Sequence, residues 1–238
     1  MVNFRIELAG CPIEVSCDYN STKEYCTDFI TEKEPLFSLQ ITEKDILNEK
    51  ENPDCNKKFS DELCETFALY RKISEELINY GIILFHGSAI AVDGEVYIFT
   101  APSGTGKSTH SKIWRRVLTA KGHDVFMIND DKPLLKITGD AVLACGTPWR
   151  GVHNLGIVAN MKVKSICLLN RDTHNHIEQI SPQDAFPYIY RQTYRPQNPI
   201  LLSKTLELLN ELLSRVSFYS LGCDMTDEAA EVSYNGMK

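Results

Sequence analysis

Basic excess is what this chain most plainly lacks. Its 25 Lys and Arg stand against 32 Asp and Glu, a net charge of −7 over 238 residues. Tracking a phosphodiester backbone needs a basic face, so the balance argues against nucleic acid or an anionic membrane as the main partner. A local basic pocket for a phosphorylated ligand stays open. No apolar run is long enough to span a bilayer, and the opening MVNFRIELAG has no apolar signal core. None of the eight cysteines forms a C-x-x-C pair. Cys11, Cys17 and Cys26 lie close together but without regular ligand spacing, so reduced cysteines in a cytoplasmic protein are expected rather than a disulfide frame or a zinc site. His153, His174 and His176 show no metal spacing either, and the chain has no internal repeat or low-complexity tract.

What is present divides into two regions. Residues 1–59 read as a small β-rich region. Phe4, Ile6 and Leu8 alternate on one face of a strand, and Pro12–Val15 and Leu36–Ile41 are further short strands. Residues 48–60 are polar and aperiodic, the expected linker. Residues 60–238 form the second region, opened by a helix that Ser60 caps and that runs to about Tyr80.

The later half alternates strands and helices. Val163–Leu169 and His176–Ile180 are expected to form a hairpin. Ser181-Pro182 starts a helix in which Arg191 and Arg195, four apart, share a face if the helix persists. A helix from Leu201 to Val216 carries Leu202, Leu206, Leu209, Leu213 and Val216 as its core-facing stripe.

The chemistry concentrates between Gly81 and Asp131. A strand, Val96–Thr100, feeds Ala101-Pro-Ser-Gly-Thr-Gly-Lys-Ser108, and a helical pattern follows. Strand, Gly-rich turn, Lys-Ser and helix in that order define a phosphate-binding loop. Gly104 and Gly106 let backbone N–H groups converge on phosphate oxygens. Lys107 reaches the outer phosphates, and the Ser108 hydroxyl serves Mg²⁺. The usual opening Gly is Ala101 here, small enough for a strand exit. His86 ends an earlier strand, 21 residues before Lys107. The next strand, Asp124–Ile128, ends in Asn129-Asp130-Asp131, a Walker-B arrangement. One carboxylate holds Mg²⁺ and the other takes a proton from an attacking hydroxyl, provided both sit in the turn. The alternative is an Asx-type turn before Pro133. The loop strand and the acidic strand are expected as near neighbours in the sheet.

Together, His86-Gly87, Ser103-Gly104-Thr105-Gly106-Lys107-Ser108 and Asp130-Asp131 resemble the superfamily of HPr kinase/phosphorylase and ATP-dependent phosphoenolpyruvate carboxykinase. The chain looks most like the small bacterial HPr-kinase-like proteins. The resemblance implies a carboxykinase-type α/β P-loop core with a mixed sheet. It implies that Ser103 to Thr109 cradle ATP, with Thr109 at the α-phosphate and Lys107 at the β/γ-phosphates. Ser108 and one of Asp130 and Asp131 would ligate Mg²⁺ while the other Asp is the base. His86 would lie by the transferring phosphoryl group. The Gly-rich second signature of HPr kinase/phosphorylase is absent, which argues against protein dephosphorylation. The chain also lacks a carboxykinase's N-terminal substrate domain.

The expected activity is therefore Mg²⁺-assisted phosphoryl transfer from ATP to a hydroxyl. The acceptor would be a serine of a protein or peptide, free serine or another small alcohol. Arg150 and His153, on the turn Gly146-Thr-Pro-Trp-Arg-Gly151 and just after it, and Arg191 and Arg195 are the substrate-side candidates. A regulatory module that binds ATP without transfer is the first alternative; the second Asp argues against it, because binding alone needs no base. A carboxykinase-like enzyme of small carboxylic acids is the second, favoured by the same arginines.

Overall fold

Alternating apolar residues build the first sheet. β1 (Val2–Leu8) buries Phe4, Ile6 and Leu8, and β2 (Cys11–Cys17) buries Cys11, Ile13, Val15 and Cys17. Their two-residue turn, Ala9-Gly10, has φ of 52° and 78°, which suits the twist of a tight hairpin. After α1 (Asn20–Tyr25), β3 (Phe37–Gln40) joins β2 in parallel. The computed structural model describes residues 1–52, 59–151 and 153–238, in two compact units, Met1–Tyr80 and Gly81–Lys238.

The first unit is less purely β than its strands suggest. Asn48 to Glu51 belong to α2 (Glu43–Glu51), whose start is held by the Thr42 N–H donating to Asp45 at 2.8 Å. The rest of the expected linker, residues 53–58, lies outside the described residues. α3 (Asp61–Leu77) is capped by Ser60, as its sequence signals. α3 packs on α1 and α2, and the first unit runs to Tyr80 rather than ending at 59. Glu65 is one tie of α3 to the residues before it. Its carboxylate is fully buried and accepts from Asp18 N (2.7 Å), Tyr19 N (3.1 Å) and Thr22 Oγ1 (2.6 Å). Burial, reinforced by Glu65, pushes the Cys17 thiol up to about 12, and burial does the same to Cys26. These are packing thiols, not nucleophiles. Each of the seven described cysteines is a thiol rather than half of a disulfide.

In the second unit the described strands form a mixed sheet in the order β4-β8-β9-β10-β6-β5-β7, with β12 on β10 and β11 on β12. These are β4 (Ile82–Leu84), β5 (Ser88–Val92), β6 (Glu95–Thr100), β7 (Val125–Asn129), β8 (Leu134–Ile137), β9 (Val142–Cys145), β10 (Asn160–Arg171), β11 (His176–Ile180) and β12 (Ser217–Cys223). β10 is the spine: Asn160–Lys162 pair antiparallel with β9, and later residues pair in parallel with β6 and β12. The expected hairpin of β10 with β11 does not form. β12 inserts between them and takes both edges.

Helices cover both faces, as the period-2 pattern requires. Val96 and Ile98 of β6, with Ile166 and Leu168 of β10, pack in the cluster that takes in residues of α5 (Pro182–Gln192) and α6 (Pro199–Arg215). Tyr97, Phe99, Cys167 and Leu169 join the opposite cluster, with residues of α4 (Lys107–Ala120) and α7 (Asp227–Met237). The core stripe of α6 is Thr205, Leu209 and Leu212, whereas the expected Leu206 is 40% exposed. No helix among the described residues is long and apolar enough to cross a membrane.

Glu65 carries the first testable consequence. Glu65→Leu leaves two backbone N–H groups and a hydroxyl without their acceptor and costs about 2–4 kcal/mol. Chemical denaturation reads it; a loss within about 0.5 kcal/mol, the scatter of surface substitutions, removes the carboxylate as a tie of α3.

Candidate active site

β5 runs antiparallel to both β6 and β7. The start of β5 therefore lies at the same rim as the ends of β6 and β7. The loop strand and the acidic strand are not immediate neighbours, since β5 lies between them. That insertion is what brings His86-Gly87 beside both motifs. Thr100 Oγ1 donates to His86 O at 2.9 Å on one side, and Gly87 N donates to Asp131 O at 2.9 Å on the other. Gly87 is needed for this fit: a Cβ there would come within about 3.1 Å of the Phe85 ring and of Phe99 O.

The Gly-rich loop leaves β6 at Ala101, which is buried. Gly104 and Gly106 have φ of 78° and 125°, and an added Cβ at either would meet nothing within 4 Å. Glycine is thus required by backbone conformation. α4 begins at Lys107 with Gly106 as N-cap, and His110 N already donates to Gly106 O. The amides of Lys107, Ser108 and Thr109 precede the first helical hydrogen bond, so they are available to an anion. Ser103, Ser108 and Thr109 are exposed; Thr105 is half-buried. The Lys107 ammonium is buried and donates to Ala101 O at 2.9 Å. Burial lowers its pKa, against the opposing pull of Asp131. Beneath the loop, Trp114 Nε1 donates to Ser233 Oγ (2.7 Å) and His110 Nε2 shares a hydrogen bond with the same hydroxyl (3.2 Å). Burial holds His110 down to about 4, so it is a neutral packing residue that fixes α4 on α7.

The two carboxylates stand in different surroundings. Asp130 is 4% exposed; its Oδ1 accepts from Gly151 N at 2.6 Å, and its buried Oδ2 has no hydrogen-bond partner among the described residues. Asp131 Oδ1 lies 3.4 Å from His86 Nε2, with a third of each side chain exposed. Burial works to raise the Asp131 carboxyl. The His86 hydrogen bond and the charges of Lys132, His86 and Lys107 outweigh it and hold the group below the usual carboxylate range.

Three residues that the motifs do not flag organise this rim. Asn129 Oδ1 accepts from Asp131 N (2.9 Å) and Lys132 N (2.7 Å), while Nδ2 donates to Thr147 Oγ1 (2.9 Å) and to Thr147 O and Trp149 O (both 3.3 Å). The turn is therefore an Asx turn made by Asn129, the alternative expected for this stretch, and Asp130 and Asp131 sit in it. Its signal was an Asn directly ahead of the pair. Gln192 Oε1 lies 2.8 Å from His86 Nδ1, and His86 N donates to Gln192 O at 2.8 Å. Gln192 is 106 residues away in the chain, so no local signal exists. Arg171, at the end of β10, donates to Gly104 O and Thr105 O.

The substrate-side candidates scatter. Arg150 lies on the turn that supplies Gly151, its side chain against Gly156, where an added Cβ would come 3.1 Å from Nε. Trp149 beside it is buried core. His153 and Arg191 are exposed. Arg195 is no helical partner of Arg191, because α5 ends at Gln192. Its Nη1 folds back onto Tyr190 O and Arg191 O, both at 3.0 Å, and its guanidinium lies over the Tyr190 ring. It caps the helix rather than facing a ligand.

No family model and no curated protein matches this chain. Among solved structures it is similar to the Hpr(Ser) kinase/phosphatase from Coxiella burnetii. That likeness has 12% identity and a TM-score of 0.34, covering 64% of this chain and 94% of that one.

Asn129 generates a sharp expectation. Asn129→Asp keeps the shape and the acceptor but loses the donor to three oxygens, and it buries a charge against carbonyls. The loss of stability is on the order of 3 kcal/mol. Denaturation midpoints read it, and an unchanged midpoint rejects Asn129 as the support of the acidic turn.

Proposed function

We propose that this chain is an ATP-dependent kinase with a carboxykinase-like P-loop core. It transfers the γ-phosphoryl group to a hydroxyl of a protein, peptide, serine or other small alcohol. One observation supports the reading: the Gly-rich loop's strand, the His86–Asp131 pair and an Asp130 Oδ2 with no hydrogen-bond partner among the described residues lie at one rim of the sheet. A carboxylate oxygen buried without a hydrogen bond is costly unless a cation meets it.

Hard oxygen donors, few in number, fit Mg²⁺, which takes one or two carboxylates and substrate phosphates. Asp130 and the exposed Ser108 hydroxyl would hold it, and its charge would neutralise that building on the phosphates. Asp131 takes the other role. It is partly open to solvent, set against His86, and accepts the proton of the attacking hydroxyl. Lys107 leaves Ala101 O for the outer phosphates, exchanging a neutral acceptor for a charged one. A module built only to bind ATP has no use for a second carboxylate on a histidine, which disfavours that alternative.

Lys107→Ala is expected to weaken Mg·ATP binding at least tenfold, about 1.4 kcal/mol or more. Calorimetric titration of the folded variant checks it, and unchanged affinity rejects the loop assignment. The two aspartates are expected to fail differently. Asp130→Asn loses Mg²⁺-dependent ATP affinity. Asp131→Asn keeps that affinity and loses roughly 10²–10⁴ in turnover, the usual worth of a positioned base. γ-Labelled ATP with a panel of serine-containing peptides and small alcohols supplies the turnover measurement. Near-native turnover in both variants overturns the kinase reading.

A further inference from the structure

We propose that Arg171 is a positioning residue that holds the phosphate loop in its binding shape from the far end of β10. The inference rests on the loop being a nucleotide-phosphate site.

Little packing holds the loop itself. Gly104 and Gly106 sit at positive φ with open space where side chains would be. Glycine at such positions permits many conformations, so something else must select one. Within the loop, Thr105 N donates to Pro102 O at 3.3 Å, and Lys107 Nζ donates to Ala101 O. The second of these is lost whenever Lys107 turns to a phosphate. Arg171 supplies what stays: Nε donates to Thr105 O at 2.9 Å and Nη2 to Gly104 O at 2.5 Å.

The geometry of the trans peptide makes this more than an anchor. In each planar unit the C=O and the following N–H point in opposite directions. Drawing the oxygens of Gly104 and Thr105 toward the guanidinium turns the amides of Thr105 and Gly106 away from it. The Thr105 amide closes the loop on Pro102 O. The Gly106 amide is left at the head of α4, the end that favours an anion. Two adjacent carbonyls call for a planar fork, which Arg has and Lys lacks.

The platform is stiff. Arg171 lies in register opposite Cys223 of β12, and Asp172 N donates to Cys223 O at 3.0 Å. The neighbouring carboxylate, Asp172, is engaged by the amides of Thr173 and His174. β10 also pairs with β6, the strand that delivers the loop. One strand pair thus holds the loop where it leaves β6 and again at Gly104-Thr105.

The test uses the full chain with Arg171→Ala and Arg171→Lys. In Arg171→Ala, Kd and KM for Mg·ATP are expected to rise about tenfold, a larger change than that in kcat, with the melting midpoint unmoved. Arg171→Lys recovers little of this, while millimolar methylguanidinium partly restores Arg171→Ala and leaves wild type unaffected. In the ligand-free protein, backbone ¹⁵N order parameters of Gly104, Thr105 and Gly106 fall in Arg171→Ala. Wild-type affinity in Arg171→Ala, or a loss matched by a lower melting midpoint, overturns the proposal. Failure of wild type to bind Mg·ATP would sink the kinase reading instead. The order parameters would then decide the clamp alone: a fall sustains it, and unchanged values overturn it.

Discussion

The antiparallel seating of β5 between β6 and β7 is the constraint on which the rest of this site depends. Strand direction is set by backbone hydrogen bonding, and reversing β5 relative to its neighbours puts its first residues where theirs end. His86-Gly87 lies between the end of β6 and the acidic turn for that reason. Had β6 and β7 been adjacent, the loop and the carboxylates would still meet, but the histidine would have no place between them.

Around that rim the structure concentrates charge where burial makes charge expensive. Lys107, Asp130 and Asp131 are drawn into or near the interior, and each is answered differently. Lys107 finds a carbonyl, Asp131 finds His86, and Asp130 finds one amide and leaves an oxygen unanswered among the described residues. The supporting polar groups are saturated by contrast. Asn129 makes five hydrogen bonds through one amide.

The two covered faces of the sheet give this rim its rigidity. α4 cannot tilt without disturbing the Trp114–Ser233 contact, and α5 cannot shift without moving Gln192 off His86. The loop is the soft part, glycine-rich and open, and its fixed points come from α4 and from β10.

Local features were legible without coordinates wherever one segment carries its own cause. The strand, Gly-rich turn and helix around Ala101 to Ser108, the Ser60 cap, the alternation in β1 and β2, and the mixed strand-and-helix order all follow from residue spacing and turn chemistry. The acidic pair was legible too, though not the Asx turn beneath it. What tertiary structure decided is everything that needs two distant segments at once. It inserted β12 between β10 and β11, placed α3 in the first unit, and turned Leu206 outward. It also gave Asp130 and Asp131 different surroundings, set Gln192 on His86 and Arg171 on the loop, and spent Arg195 on a helix end. Spacing in a sequence encodes the period of a strand or helix, because that period is a property of neighbouring residues. Which edge a strand takes, and which side chain meets a buried charge, depends on the competition among all surfaces for burial, and no single segment contains that.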